Sequence, residues 1–393
     1  MDDPLAASSL YAHVRALAGE IGPRPTGHPP EAAARTYIRR ILGEIGLDDV
    51  EEMPLRAWDT WGYTVAAPVL LALVGNGLGR LGRRARLLGG LAALTGAYHL
   101  WQAAQGGRHL LAPFFPRRPT ANLIARLPAR RERRHTVVLV GHTDTNKHRF
   151  TFAPGVKKLL VASVTAAEAA LLLNGLAQIA RSLGVGKRAE MVQKGTLAAL
   201  GAMLLYLLND ERGGYIAGAA DNASAVACLL GLAAHLRRNP LDHTEVWLAF
   251  TATEEVGCLG MHALLDTYGE RLRAAWFLDF EMVSTRRIAY VTRHSSLSYL
   301  SAYAPDPESL AWAEETSRRH PELGVVGREV VIVEEVGSLR GRGFRGLGLV
   351  GVGEDGWLAN WHRHADDLEH LEPEGLERAA RFALAMLRTL DEK

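Results

Sequence analysis

Four short runs, TVVLVGH (136–142), EVWLAF (245–250), AAWFLDF (274–280) and LGLVGVG (347–353), constrain this chain more than anything else in it. Each is rich in β-branched, aliphatic or aromatic residues and reads as a buried strand. Around them lie stretches of helical periodicity at 4–19, 30–45, 222–237 and 373–390, the third with Asp221 and Asn222 as capping candidates. Further strands are expected at Val50–Trp58 and Ala121–Leu127. The second is followed by a charged turn, PARRERR, that suits an exposed hairpin tip. Strands alternating with helices predict an α/β fold, a three-layer α/β/α sandwich on a mixed central sheet. At 393 residues and 48% apolar content, one large α/β domain over 1–393 can bury a sizeable core.

Two segments break this rhythm. Residues 62–115 hold apolar runs at 64–79 and 87–105 joined by the basic GRLGRRAR, and 155–208 hold runs at 159–180 and 195–208 joined by RSLGVGKRAEMVQK. Each reads as a hydrophobic helical hairpin inserted between core elements. The runs are at or below the roughly 20 residues that span a bilayer, and His99, Glu168 and Asn174 interrupt them. Two readings stand: a four-helix subdomain packed on itself or on a second copy, as in a homo-oligomer, and insertion or docking in a membrane. The basic connections would suit anionic headgroups.

A formal net charge of +2 gives no reason to expect nucleic acid as a partner. Cys228 and Cys258 are too few for a disulfide framework and fit a reducing compartment. Cys228 falls inside a predicted helix as a packing residue, and Cys258 lies near the polar strand ends. MDDPLAASSLYAHVRALAGE reads as an amphipathic helix and carries no secretory signal pattern.

In open α/β sheets, ligands collect outside the carboxyl ends of the strands. Three strand ends here carry metal-ligand chemistry: His142 and Asp144 in GHTDT, Glu254 and Glu255 in TATEE, and Asp279 and Glu281 in LDFEM. Asp221-Asn222 at a helix start and His362 in NWHRHADD add two more places. In an extended segment His362 and His364 share a face, so spacing leaves a chelating pair open. Histidine and carboxylate donors without thiolates fit zinc or a similar first-row ion.

The pattern resembles the co-catalytic zinc aminopeptidases of metallopeptidase family 28. IGPRPTGHPPEAAARTYI, VVLVGHTDT, GAADNASAVACLLGLAAHL, TATEEVGCLGMHALL, WFLDFEMVS and WHRHADDLEHL are similar to that family's motifs, in order, over most of the chain outside the hairpins. The resemblance implies two zinc ions and a peptide substrate. It assigns His142 to one ion, with Asp144 orienting its imidazole, Asp221 as a bridge between ions, and Glu255 and His362 to the other ion. Aligning DFEMVS with the family's pattern makes Glu281 the remaining ligand, longer than the usual Asp, with Asp279 as the alternative. Asp366 corresponds to an Asp of the last motif, a structural partner, and His364 becomes a rim residue. Ala225 and Met261 depart from the usual Gly and Ser, and no equal of the family's later Ser-Asp-His stretch is evident near GSLRGRGF.

Peptide hydrolysis needs a hydroxide-like nucleophile, a polarised carbonyl and a proton shuttle to the leaving amine. Paired divalent ions supply the first two. A carboxylate outside the metal shell can carry the proton, and Glu254 fits that role. Neighbouring residues at a strand end project differently, so Glu255 can reach a metal while Glu254 addresses water. The expectation is a zinc-dependent aminopeptidase. The alternatives are a glutaminyl-cyclase-like zinc acyltransferase and a non-catalytic, receptor-like relative.

Overall fold

In the computed structural model, which describes residues 3–393, eight strands form one mixed sheet. They are β1 (Val50–Ala57), β2 (Arg118–Leu127), β3 (His135–His142), β4 (Thr244–Thr251), β5 (Trp276–Glu281), β6 (Ile288–His294), β7 (Val326–Val330) and β8 (Leu347–Gly351), in the order β1-β2-β4-β3-β5-β8-β6-β7. The centre, β4-β3-β5-β8, is parallel, the pairs β1–β2, β2–β4 and β8–β6 are antiparallel, and the edge strand β7 lies parallel to β6. The α/β sandwich on a mixed sheet is therefore the architecture found.

Eleven α-helices surround the sheet: α1 (Ala7–Val14), α2 (Pro29–Glu44), α3 (Gly62–Leu78), α4 (Arg83–Ala103), α5 (Leu160–Ser182), α6 (Lys187–Asp210), α7 (Ser224–Arg238), α8 (Leu259–Tyr268), α9 (Pro307–Arg319), α10 (Glu335–Gly341) and α11 (Pro373–Asp391). The pleat sends alternate side chains to opposite faces. Val137 and Leu139 of β3 thus join a core with Leu248, Leu278 and the buried faces of α1, α7 and α11. Val138 and Val140 join Trp247, Phe277 and the α8 residues Met261 and Leu264 on the other side. Burial on both faces explains why β3, β4 and β5 are nearly all apolar until their last residues.

The hairpin tip expected at PARRERR is not one. β4 lies between β2 and β3, so the charged segment crosses over to the chain that enters β4. Its amides at Arg130, Arg131 and Arg134 donate to the carbonyls of Leu241, Asp242 and His243, each at 2.8 Å. A strand buried on both faces needs a partner on each edge, and β4 supplies one for β3. β6 and β7 are further strands beyond those expected, the latter a largely exposed edge strand whose charged residues hide its pattern.

The two apolar segments form α3–α4 and α5–α6, packed together as a four-helix bundle beside the carboxyl edge of the sheet. The helices extend past the apolar runs. At about 1.5 Å per residue, α6 is about 36 Å long. Beside an apolar core that includes Val65, Leu100, Leu171 and Leu200, the bundle buries a polar network. Asn76 donates to Asn174 at 2.7 Å, Gln193 to Asn76 at 2.6 Å, and Asn174 to Thr196 at 2.9 Å. His99, Glu168 and Asn174, which interrupt the apolar runs, all face inward. Backbones touch where α3 crosses α4: a Cβ on Gly89 would lie 2.4 Å from the Gly75 carbonyl oxygen. The outer face is apolar. Apart from Tyr299, Leu300 and Val326, every exposed large hydrophobic side chain among the described residues lies between positions 70 and 208. The spans Gly62–Leu81, Lys157–Ser182 and Lys187–Asp210 are long and apolar enough to cross a membrane. So is Ala219–Arg238, but that span is sunk in the core of the sandwich.

Candidate metal centre

The register of the central strands decides what can meet. His142 stands level with Thr251, and Val140 with Asp279, so the ends of β3, β4 and β5 open on one edge. The loop before α7 adds Asp221, and the segment before α11 adds His362. Five residues fall into two donor groups that share Asp221. One is His142, Asp221 and Glu281, the other Asp221, Glu255 and His362, with donor atoms within 4.8 Å of one another in each group. Nε2 of His142 is 3.2 Å from Oδ1 of Asp221 and 3.5 Å from Oε2 of Glu281. Nε2 of His362 is 3.3 Å from Oδ2 of Asp221 and 3.1 Å from Oε2 of Glu255.

The supports are built from neighbouring backbone and side chains. Nδ1 of His142 donates to the carbonyl oxygen of Asp144 at 3.1 Å, which leaves Nε2 as the outward donor atom. The Asp144 carboxylate is 3.4 Å from that same nitrogen. It accepts from Thr26 Oγ1 at 2.7 Å and from the Glu254 amide at 3.2 Å. Asp144 therefore orients His142 chiefly through its backbone, and its side chain ties the β3 and β4 ends together. Asp366 accepts from the amides of Ala220 and Asp221 at 2.6 and 3.1 Å. Asn222 donates to Glu281 Oε2 at 3.1 Å and to the Phe280 carbonyl at 2.7 Å. Among the described residues, the five non-glycine residues with left-handed φ, Thr253, Cys258, Met282, Asn360 and His362, all flank this edge. Such conformations persist only where surrounding contacts over-determine them, and they gather at working sites.

Glu281 is in a donor group, whereas the buried Asp279 is in neither. Glu254 is outside both groups, with Oε2 3.8 Å from His142 Nε2. His364 stacks on His148 at the rim, ring centroids 4.0 Å apart. Cys228 is packed in α7, while Cys258 rests its thiol 3.6 Å from Glu254 Oε1.

Three contributors carry no metal-ligand signal. Asn146 donates to Glu255 Oε2 at 2.8 Å. The buried guanidinium of Arg24 binds the carbonyls of Thr143, Ala217 and Gly218, which joins the β3 end to the Asp221 loop. Glu335 accepts from Thr251 Oγ1 at 3.0 Å and is buried with Glu334, immediately ahead of GSLRGRGF. A signal for that last pair exists: IVEEVG repeats the Glu-Glu-Val-Gly of TATEEVG after an apolar run.

Three carboxylates and two imidazoles buried together are a poor hydrogen-bonding arrangement and a good ligand set. His142 Nε2, Asp221 Oδ2, Glu255 Oε1 and His362 Nδ1 are buried without hydrogen-bond partners, a costly state for polar atoms. Burial, opposed by His142, raises Glu281 to about 8. Burial raises Glu254 well above the usual carboxylate range, with Glu281 and Glu255 adding to the effect of burial. Burial would lower His362, but Glu255 and Asp221 outweigh it and push it up to about 9. Excess negative charge is thus held in check by retained protons, the same protons that a bound cation displaces. Histidine and carboxylate donors in this number fit a first-row divalent ion.

A mixed α/β sandwich with these donors at the carboxyl edge of its parallel core defines a metallopeptidase type of architecture. Residues 209–387, the stretch that carries Asp221, Glu254, Glu255, Glu281 and His362, match the model of peptidase family M28. Among solved structures the chain is similar to Porphyromonas gingivalis glutaminyl cyclase, at 15% identity and a TM-score of 0.58 over 100% of this chain and 99% of that one. It is also similar to a Zn-dependent exopeptidase from Parabacteroides distasonis, at 14% identity and 0.56 over 97% of each chain. A leucine aminopeptidase precursor from Bacteroides thetaiotaomicron aligns at 13% identity and 0.54, over 98% of this chain and 97% of that one. At such identities the likeness is one of fold. No curated protein matches the sequence.

Proposed function

We propose that the protein is a zinc-dependent exopeptidase of the aminopeptidase kind, releasing N-terminal residues from peptides. The observation that carries this reading is the sharing of Asp221 by two donor groups, with Glu254 beside them but in neither. His142, Asp221 and Glu281 would hold one zinc ion, and Asp221, Glu255 and His362 a second. Ions bound there would supply an acidified water and a polarised peptide carbonyl. Glu254 takes the proton and returns it to the leaving amine. Burial raises its pKa well above the usual carboxylate range, which strengthens its hold on the proton it must carry. Asp144 and Asp366 keep His142 and Asp221 in place.

A glutaminyl-cyclase-like transfer uses the same fold, and a receptor-like relative would need none of this chemistry. Complete donor sets on both sides of Asp221 favour hydrolysis. Metal analysis with hydrolysis of aminoacyl-arylamides, on wild type and Glu254→Ala, tests the proposal. About two zinc ions per chain are expected in both, with a rate loss of about 10²–10⁴ in the variant. A chain that binds no metal, or that cyclises glutaminyl peptides without hydrolysing arylamides, would overturn it.

The apolar exterior of the bundle, together with the polar network buried within it, suggests that α3–α6 docks in a lipid bilayer. Small residues at helix crossings and buried Asn and Gln bonds are how helices associate in lipid.

A further inference from the structure

A cavity of about 550 Å³ runs from the donor groups into the bundle, within the roughly 300–1,000 Å³ typical of small-molecule sites. Asp221, Glu254, Glu255, Glu281 and His362 line one end. The other end is bounded by all four bundle helices, through residues such as Val65, Leu100, Ala170, Ala199 and Met203. Among the described residues, every carboxylate on its wall sits at the donor end, and no Lys or Arg lines it anywhere. His109 lines it too and stays neutral, burial pushing it down to about 3. The wall on α5 extends from Leu160 to Ala170, about 15 Å at about 1.5 Å per residue. Much of that wall is alanine, so the space is long and smooth.

We propose that this cavity takes a long, unbranched apolar chain carried by the residue on the amino side of the scissile amide. The substrate class is then a peptide or amino-acid amide whose N-terminal residue bears a lipid-like group. The inference rests on the exopeptidase reading. An enzyme of that kind holds a single residue before the bond it cuts, and the rest of the peptide continues away from the donors. A chamber bounded by four helices suits the single side chain. Its length exceeds any ordinary amino-acid side chain. The apolar exterior of the same helices would place the cavity where such chains reside, in or against a bilayer.

The test uses the full-length, zinc-loaded protein and arylamides of amino acids with unbranched side chains from methyl to decyl. Rates should rise about fourfold in kcat/KM per added methylene, the worth of a buried CH₂, until the chamber is full. Ala170→Trp, which fills the chamber, should cut the decyl-to-methyl ratio about tenfold, and Ala199→Leu serves if the first variant does not fold. Rates that stay flat beyond butyl would overturn the inference while leaving the exopeptidase reading intact. If no member is hydrolysed, that reading fails, and thermal melts decide the cavity separately. Dodecylamine raising Tm more than butylamine, with the difference lost in Ala170→Trp, would support a chain site, and equal shifts would overturn it.

Discussion

The side-chain amide of Asn146 donates to Oε2 of Glu255 at 2.8 Å, and its nitrogen is 3.3 Å from Nε2 of His362. An uncharged residue thereby fixes the orientation of two of the donors around Asp221. Partners of this kind are commonly worth 10–100-fold in metal affinity. Asn146→Ala should weaken zinc binding by about that factor, measured by competition with a chromogenic chelator, and the overall fold should persist. Unchanged affinity would mean that Glu255 and His362 are held by other contacts.

Glu281 and Asp279 lie two residues apart on β5, yet only Glu281 belongs to a donor group. Replacing Glu281 with Ala should lower the zinc content by about one ion per chain. Asp279→Asn should leave the content unchanged. Burial raises Asp279 well above the usual carboxylate range, with Glu334 and Glu335 adding to the effect, so an uncharged amide suits the position. Loss of metal in Asp279→Asn with retention in Glu281→Ala would reverse the assignment.

What the sequence made legible, and what it hid, follows from how each residue acts. His142, Glu255 and Glu281 end strands, and Asp221 precedes a helix. Residue type and carboxyl-edge position therefore pointed to the same few residues that the structure gathers. Arg24 and Asn146 work by binding backbone or a neighbouring carboxylate, which leaves no periodic or compositional trace, whereas Asp366, which binds backbone too, was legible only through the motif it belongs to. Glu334 and Glu335 were missed because they open the short helix α10, where an acidic pair reads as an ordinary solvated helix start. The crossing of residues 128–134 over β4 was hidden as well, since a charged turn between two strands does not say whether they pair. The bundle's polar residues read as interruptions of apolar runs, and only the packed helices reveal that they face one another.

Metal removal should make stability fall as pH rises. His362 is raised from its ordinary value of 6.5 to about 9: burial opposes its charge, and Glu255 and Asp221 overcome burial. Its contribution is full below 6.5 and is lost as pH climbs through about 9. Glu281 is raised from 4.5 to about 8 by burial, against His142. The unfolded chain releases that proton first, so Glu281 also withdraws stability between those values as pH rises. Both groups act in the same direction. With chelator present, Tm should decline steadily from pH 5 to pH 9. Zinc should restore about 3–4 kcal/mol at concentrations a hundred- to a thousandfold above Kd, with a larger gain at the alkaline end, where protons no longer compete. A chelated protein whose Tm rises over this range would contradict the proton-filled donor cluster.

The exterior of the bundle makes the final prediction. Leu88 on α4 and Leu176 on α5 are 66% and 49% exposed, on helices that bury Gly89, Ala93, Asn174 and Gly175 alongside larger residues such as Leu100 and Leu171. In water such a face favours self-association, whereas in lipid it is the solvated side. Wild-type protein should sediment with membranes and resist alkaline carbonate. A charged residue costs about 2.5–3.5 kcal/mol at the centre of a membrane helix, so Leu88→Glu with Leu176→Glu should move much of the protein to the soluble fraction. Arylamide hydrolysis should continue there, because both positions are absent from the cavity wall and the donor groups. Wild-type protein that is soluble and forms oligomers, dispersed to monomers by the same two changes, would show instead that the apolar face binds a second copy of the chain.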